Sequence, residues 1–149
     1  MANPVESANL ILKLFELRRE EVMRKARDYF FTFDPKTVED FNATMMGPQG
    51  AYVRMVLSYW DMAASLVNNG AIDAKMFDEA NGEQIGVFAT MEPLIPQLRE
   101  TFKNPNFMKN LETLVLSSPD GRQRVEIVRE FQRNIKAQIR AQAQAAKSS

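Results

Sequence analysis

The chain has 149 residues, 45% of them hydrophobic and 26% charged, with 19 basic and 19 acidic side chains cancelling to a formal net charge of zero. That length suits one domain with a core large enough to stand without metal or disulfide support, and the charge balance argues against a protein whose main work is to hold nucleic acid or an anionic membrane. Cysteine and histidine are both absent, which excludes thiol nucleophiles, Cys-based zinc and iron–sulfur sites, disulfides, Ser-His-Asp triads, HExxH metalloproteases and the Glu-x-x-His di-iron bundle.

Helix starts are marked by four X-Pro pairs. Asn3-Pro4, Asp34-Pro35, Asn104-Pro105 and Ser118-Pro119 each set a good N-cap residue before a proline, which is tolerated at the first helical position. No segment sustains a period-2 alternation, so the expected class is all-α. The first helix is expected over Pro4 to Thr32. Its stripe is Ile11, Phe15, Val22, Ala26, Tyr29 and Phe33, and Arg19 is placed beside Leu12, Ala26 and Phe30. Leu10, Leu14 and Leu17 form a second apolar strip near its start. Such surplus apolar surface usually marks an interface, so a homodimer is expected there. Lys13 and Glu16 interrupt the patch. It is too short and too charged for a signal peptide or a membrane span, and the expected location is cytoplasmic. The charged run Glu16 to Asp28 reads as a solvated face with Glu20–Arg24 and Glu21–Lys25 pairs in the favourable i,i+4 orientation.

Phe33 to Phe41 reads as a turn into a short helix ending near Met45-Met46, and Gly47-Pro48-Gln49-Gly50 breaks the chain. The central helix follows, Ala51 to Asn69. Tyr52, Val53, Val56, Leu57, Tyr59, Trp60, Met62, Ala63, Ala64, Leu66 and Val67 occupy an arc of roughly 200°, the pattern of a helix covered on more than one side. Trp60 and Tyr59 read as core in preference to a ligand platform. Arg54 and Asp61 share the narrow polar strip two turns apart. They read either as a solvated strip with one loose ion pair or as a polar seam facing a cleft or a partner helix. Asn69-Gly70 suits a helix stop with Ile72 folding back. Asp73 suits the cap of a short helix, Ala74 to Ala80, which Asn81-Gly82 closes in the same way.

Beyond Gly82 the stripe Phe88, Met91, Ile95, Leu98 and Phe102 passes through Pro93 and Pro96. It favours one helix bent at the prolines over a break near Met91-Glu92. A shorter helix, Asn104 to Ser117, turns Phe107, Met108, Leu111, Leu114 and Val115 inward. The last helix carries Val125, Val128, Phe131, Ile135 and Ile139, with a frayed tail over residues 141–149. From Gly121 onward the chain is basic, net +5. A basic amphipathic helix of this kind meets an acidic partner, a nucleic-acid backbone or an anionic membrane, or simply docks by its stripe and shows its charges to water; the docked helix is the expected case.

The run YWDMAASLVNNGAIDAKMFDEANGEQ, followed by MEPLIPQLRETFKNPNFMKNLETLV, resembles a bacterial family of helical proteins known only as a domain of unknown function. The likeness rests on Trp60 and Asp61, the helix ending in Asn-Gly, Ile72 with Asp73, and Leu98 with Arg99, and covers roughly Leu10 to Val115. The resemblance implies an all-helical cytoplasmic protein and no activity.

The expected architecture is one domain, an antiparallel helical bundle of five or six helices with one proline-kinked helix. The expected function is a non-enzymatic protein–protein interaction or scaffold domain. The alternative is a small-ligand module with a pocket near Trp60 and the Pro93/Pro96 kink. Candidate ligand or interface residues are Trp60, Asp61, Arg54, Leu10, Leu14 and Leu17. No catalytic, cofactor or metal residue is assigned, and no nucleic-acid partner is expected. Asp61, Asp78, Glu83 and Glu92 are the carboxylates nearest the central helices, and acid–base work would need two of them to meet.

Overall fold

Helix follows helix through residues 2–148, the part of the chain that the computed structural model describes, and no strand occurs among them. The first helical stretch is two helices, α1 (Pro4–Arg18) and α2 (Glu21–Thr32). Asn3 caps α1 as expected, accepting from Val5 N at 2.8 Å. The break between them comes from Glu20. Its carboxylate accepts from the backbone N–H of Val22 and Met23 at 3.0 and 2.9 Å, capping α2 in place of the expected pair with Arg24, and only the Glu21–Lys25 pair forms. At 100° per residue the buried face of α1 (Ser7, Ile11, Leu14) and that of α2 (Met23, Ala26, Phe30) differ by roughly 120°. One continuous helix cannot bury both faces, so the single stripe drawn through Phe15 and Val22 was an average of two, and both of those residues are exposed. Arg19 lies outside, over the Phe15 ring.

Thr37 caps α3 (Val38–Met46) through a reciprocal bond with Asp40. The central helix is α4 (Gly50–Asn68), which packs against α2 and α3 on two sides and buries Val53, Val56, Leu57, Tyr59, Trp60, Ala63, Ala64 and Val67. Met62, expected on the apolar arc, is exposed. The stop at Asn69-Gly70 is as expected. Gly70 takes φ +82°, Ala71 N–H reaches Leu66 O at 2.9 Å, Gly70 N–H reaches Val67 O at 3.0 Å, and Ile72 folds back into the core. Asp73 caps α5 (Ala74–Ala80) at Met76 N–H, 2.8 Å. The Asn81-Gly82 end differs: Asn81 is extended at φ −139° and Gly82 is not left-handed. Here the Asn81 side-chain amide donates to Phe77 O at 3.1 Å and closes the helix end in place of a left-handed glycine.

The bent helix resolves into α6 (Glu83–Met91), a 3-10 turn over Glu92–Leu94, and α7 (Ile95–Thr101). Each proline sits in the first turn of its own segment, where the missing N–H has no intrahelical partner to lose; Phe88, Met91, Ile95 and Leu98 are buried. The two remaining helices are α8 (Lys109–Ser117), which lies against α4 and α6, and α9 (Gly121–Ser148), which lies on α6 and α8. The helices therefore exceed the expected five or six. Asp34-Pro35 lies in an irregular connection and Pro105 and Pro119 lie in turns, each ahead of its helix, which begins two or more residues after the proline. Helix α9 continues through Ser148, with residues 137–148 exposed along the expected tail. No described helix is long and apolar enough to cross a membrane.

Candidate functional site

Asp61 acts on a neighbouring helix. Its Oδ1 accepts from Leu111 N–H at 2.9 Å and its Oδ2 from the Asn110 side-chain amide at 3.1 Å. It thereby satisfies the first turn of α8, whose own cap position, Met108 at φ +58°, makes no side-chain capping bond. From the other side, Arg99 Nε donates to Phe107 O at 2.9 Å and its guanidinium pairs with Glu112 at 3.3 Å. Two of the residues that carry the family likeness, Asp61 and Arg99, thus clamp the segment leading into α8.

Arg54 and Asp61 form no ion pair. Arg54 is exposed, and the two residues edge an open cleft of about 520 Å³ between α3, α4 and the segment before α8, with Phe41, Leu57 and Met108 beneath. The polar strip does face a cleft, but both Asp61 oxygens are engaged in capping. Trp60, 1% exposed, is part of the core. Its ring meets Tyr59 edge-on at 4.9 Å and the Arg18 guanidinium lies 5.5 Å above it, so it offers no ligand platform. The Tyr59 hydroxyl donates to Leu14 O and accepts from Arg18. Burial raises its pKa, and the Arg18 cation opposes that rise.

The expected interface strip on α1 is displaced. Leu14 is 4% exposed and belongs to the core, Leu10 is half-buried, and only Leu17 is open. The apolar stripe that α1 does present is Val5, Leu12 and Phe15, exposed by 69%, 64% and 45%.

The carboxylates near the central helices do not meet one another. Asp78 pairs with Arg124 at 2.9 Å, Glu83 with Arg27 at 2.7 Å, and Glu92 with Arg122 and Arg129 at 2.6 and 2.7 Å. Arg122, and after it Arg129, hold the Glu92 carboxyl below the usual range against the opposing effect of burial. Among the described residues no group of three or more carboxylates is placed to hold a metal ion.

A more enclosed concavity lies between α2, α6 and α9. Phe30, Val87, Val128 and Ile135 wall a groove of about 230 Å³, and Phe31 and Phe131 stand exposed at its rim. Helix α9 lies against Gly86, whose carbonyl accepts from Gln132 Nε2 at 3.0 Å. Arg27 and Glu83 line one part of the groove and Lys136 another. The groove adjoins a second depression of about 180 Å³ beside Pro93, and Thr90, Gln132 and Lys136 border both. The second depression is polar, bordered by Lys36, Arg129, Arg133, Lys136, Arg140 and Asp34. Burial pushes the Asp34 carboxyl up, but hydrogen bonds and charge from Lys36 and Lys136 outweigh it and leave its pKa lowered. A pocket beside Pro93 was expected. Its continuation along α9, away from Trp60, was not, and the isolated Gly86 within a helical pattern was the one available signal.

No curated protein and no solved structure matches this sequence. A family model described as Domain of unknown function (DUF4760) matches residues 4–118, a span that takes in α1 to α8 and stops before α9. The chain belongs to the DUF4760 family of domains of unknown function.

Proposed function

We propose that this chain is a non-enzymatic binding domain for a small ligand, seated in the trough between α2, α6 and α9. One observation carries the reading: an apolar groove there runs into a charged depression, with both lined largely from helices. Ligand sites combine apolar walls with a few placed polar groups in this way. Side chains mounted on helices hold their positions better than those on loops. The separate pairing of Glu83 and Glu92 with arginines, and of Asp34 with Lys36 and Lys136, also favours binding over acid–base chemistry. The test is titration of the labelled protein with octanol, followed by backbone NMR shifts. Shifts confined to α2, α6 and α9 are expected. Shifts centred on the Arg54 cleft, or none at saturation, would overturn the reading.

A second reading is self-association as a homodimer, favoured by the exposed Val5, Leu12 and Phe15 stripe on α1. Light scattering after size exclusion, on the native chain and on Leu12→Glu, tests it. A dimer that the substitution converts to a folded monomer supports it, and a native monomer at high concentration removes it.

A further inference from the structure

We infer that the ligand of the trough is an anionic amphiphile, with a short alkyl tail between Phe30 and Phe131 and a carboxylate or phosphate head beside Lys136, Arg133 and Arg140. This rests on the binding reading above and adds the ligand's chemical class.

The trough has polarity along its length. Where Arg27 borders the groove, its charge is already answered: it binds both Glu83 oxygens and also donates to Arg18 O. A charged head gains nothing there. The other part is different. Lys136 is mostly buried and fixed, 3.2 Å from Asp34 and donating to Phe33 O at 3.3 Å. Asp34 is the one acid bordering that depression, and it is already shared between Lys36 and Lys136. Arg140, one turn further along α9, donates its Nε–H to the Lys136 carbonyl at 3.4 Å, and among the described residues no carboxylate lies within ion-pair distance of it. Arg133 holds only an exposed pair with Glu130 at 3.3 Å, which an incoming anion can replace at little cost. Arg129 is paired with Glu92 and Glu126 through its terminal nitrogens, and its buried Nε–H has no partner among the described residues.

Cations held beside an apolar groove select the head by charge and the tail by burial. A neutral alcohol leaves Arg140 without an anionic partner, and an amine meets like charge. The groove's 230 Å³ is below the roughly 300–1,000 Å³ usual for drug-sized ligands, so the tail is short.

The experiment compares octanoate, octyl phosphate, octanol, octylamine and inorganic phosphate by calorimetry and NMR, on the native chain and on Arg133→Gln/Arg140→Gln. Both substituted positions are exposed, and circular dichroism checks that the variant folds. Octanoate or octyl phosphate is expected to bind about tenfold or more tighter than octanol, the scale of one charge-assisted hydrogen bond. The variant, which keeps Lys136, is expected to lose most of the anions' advantage over octanol while leaving octanol unchanged; an undiminished advantage would overturn the placement of the head. The stronger of the two anions identifies the head group. Equal binding of octanol and octanoate would overturn the anionic class and leave the binding reading intact. Binding of inorganic phosphate as tight as octyl phosphate would mean an anion site with no role for the tail, and would also overturn it. No binding by any of the octyl probes would overturn both. Sedimentation with anionic vesicles, in the absence of octanoate binding, would move the chemistry to a membrane surface and overturn the soluble-ligand proposal.

Discussion

Removing the Asp61 carboxylate should destabilise α8 without touching any residue of that helix. The side chain accepts two hydrogen bonds, from Leu111 N–H and from the Asn110 amide, and is half-buried between α4 and α8. A hydrogen bond to a charged group contributes about 1.5–3 kcal/mol, and loss of a helix cap costs about 0.5–2 kcal/mol. These describe overlapping effects here, so Asp61→Ala is expected to cost about 2–3 kcal/mol. At this chain length that lowers Tm by about 5–10 °C. Asp61→Asn keeps an oxygen for Leu111 N–H but loses the charge, and is expected to cost about half as much. Urea unfolding followed by Trp60 fluorescence and far-UV circular dichroism measures both. If Asp61→Ala falls within about 0.5 kcal/mol of the native chain, the capping role is wrong, because that is the range of an ordinary surface substitution.

Lys103 holds φ +52° where the chain leaves α7, with its N–H on Glu100 O and the next N–H on Arg99 O. Glycine carries no Cβ penalty in that conformation, so Lys103→Gly should raise stability by about 0.5–1 kcal/mol in urea titration. Gly121 opens α9 with an ideal Cβ position only 2.2 Å from Val115 O. Gly121→Ala should therefore cost at least about 2 kcal/mol, and a neutral result would refute the close approach. Leu14→Glu buries a charge in the core and should unfold the chain rather than dissociate a dimer, which circular dichroism will distinguish. Acid should destabilise the protein through Glu92. Its folded pKa lies below the unfolded value, so its contribution is complete above the unfolded pKa and is lost as pH falls through the folded one. Glu92→Gln should lower stability at pH 7 and flatten the loss below about pH 4.5; an unchanged acid limb would refute the assignment.

The helical class, the Gly70 stop and the caps at Asn3 and Asp73 were legible because each is written within a few neighbouring residues. The divided first helix was not. Glu20 reads equally well as an i,i+4 partner of Arg24 or as the cap of a new helix, and only the packing of Met23, Ala26 and Phe30 against the core selects the second. Three of the X-Pro pairs misled for a related reason: a proline after a good cap residue fits a turn as well as a helix start. At the site, Asp61 could be singled out from the polar strip, but its partners lie 49 and 50 residues away. The trough draws on α2, α6 and α9, which the sequence separates widely, so no local pattern announces it. Gly50 reads as part of a chain break and Gly121 as part of the start of the last helix. Both have ordinary φ values, and their need for glycine comes from the carbonyls of Met45 and Val115 pressing where a Cβ would sit.

Three of the side chains that fasten α9 reach main-chain oxygens: Gln132 to Gly86, Arg129 to Ala89 and Lys136 to Phe33. A carbonyl oxygen is the same whatever residue carries it. The outward side chains of α6 can change without releasing the helix that covers it. Directed evolution of the groove would therefore have unusual freedom. Libraries at Glu83 and Thr90 should alter what the trough accepts while leaving these three fastenings intact, which makes the receiving helix a practical place to redesign specificity.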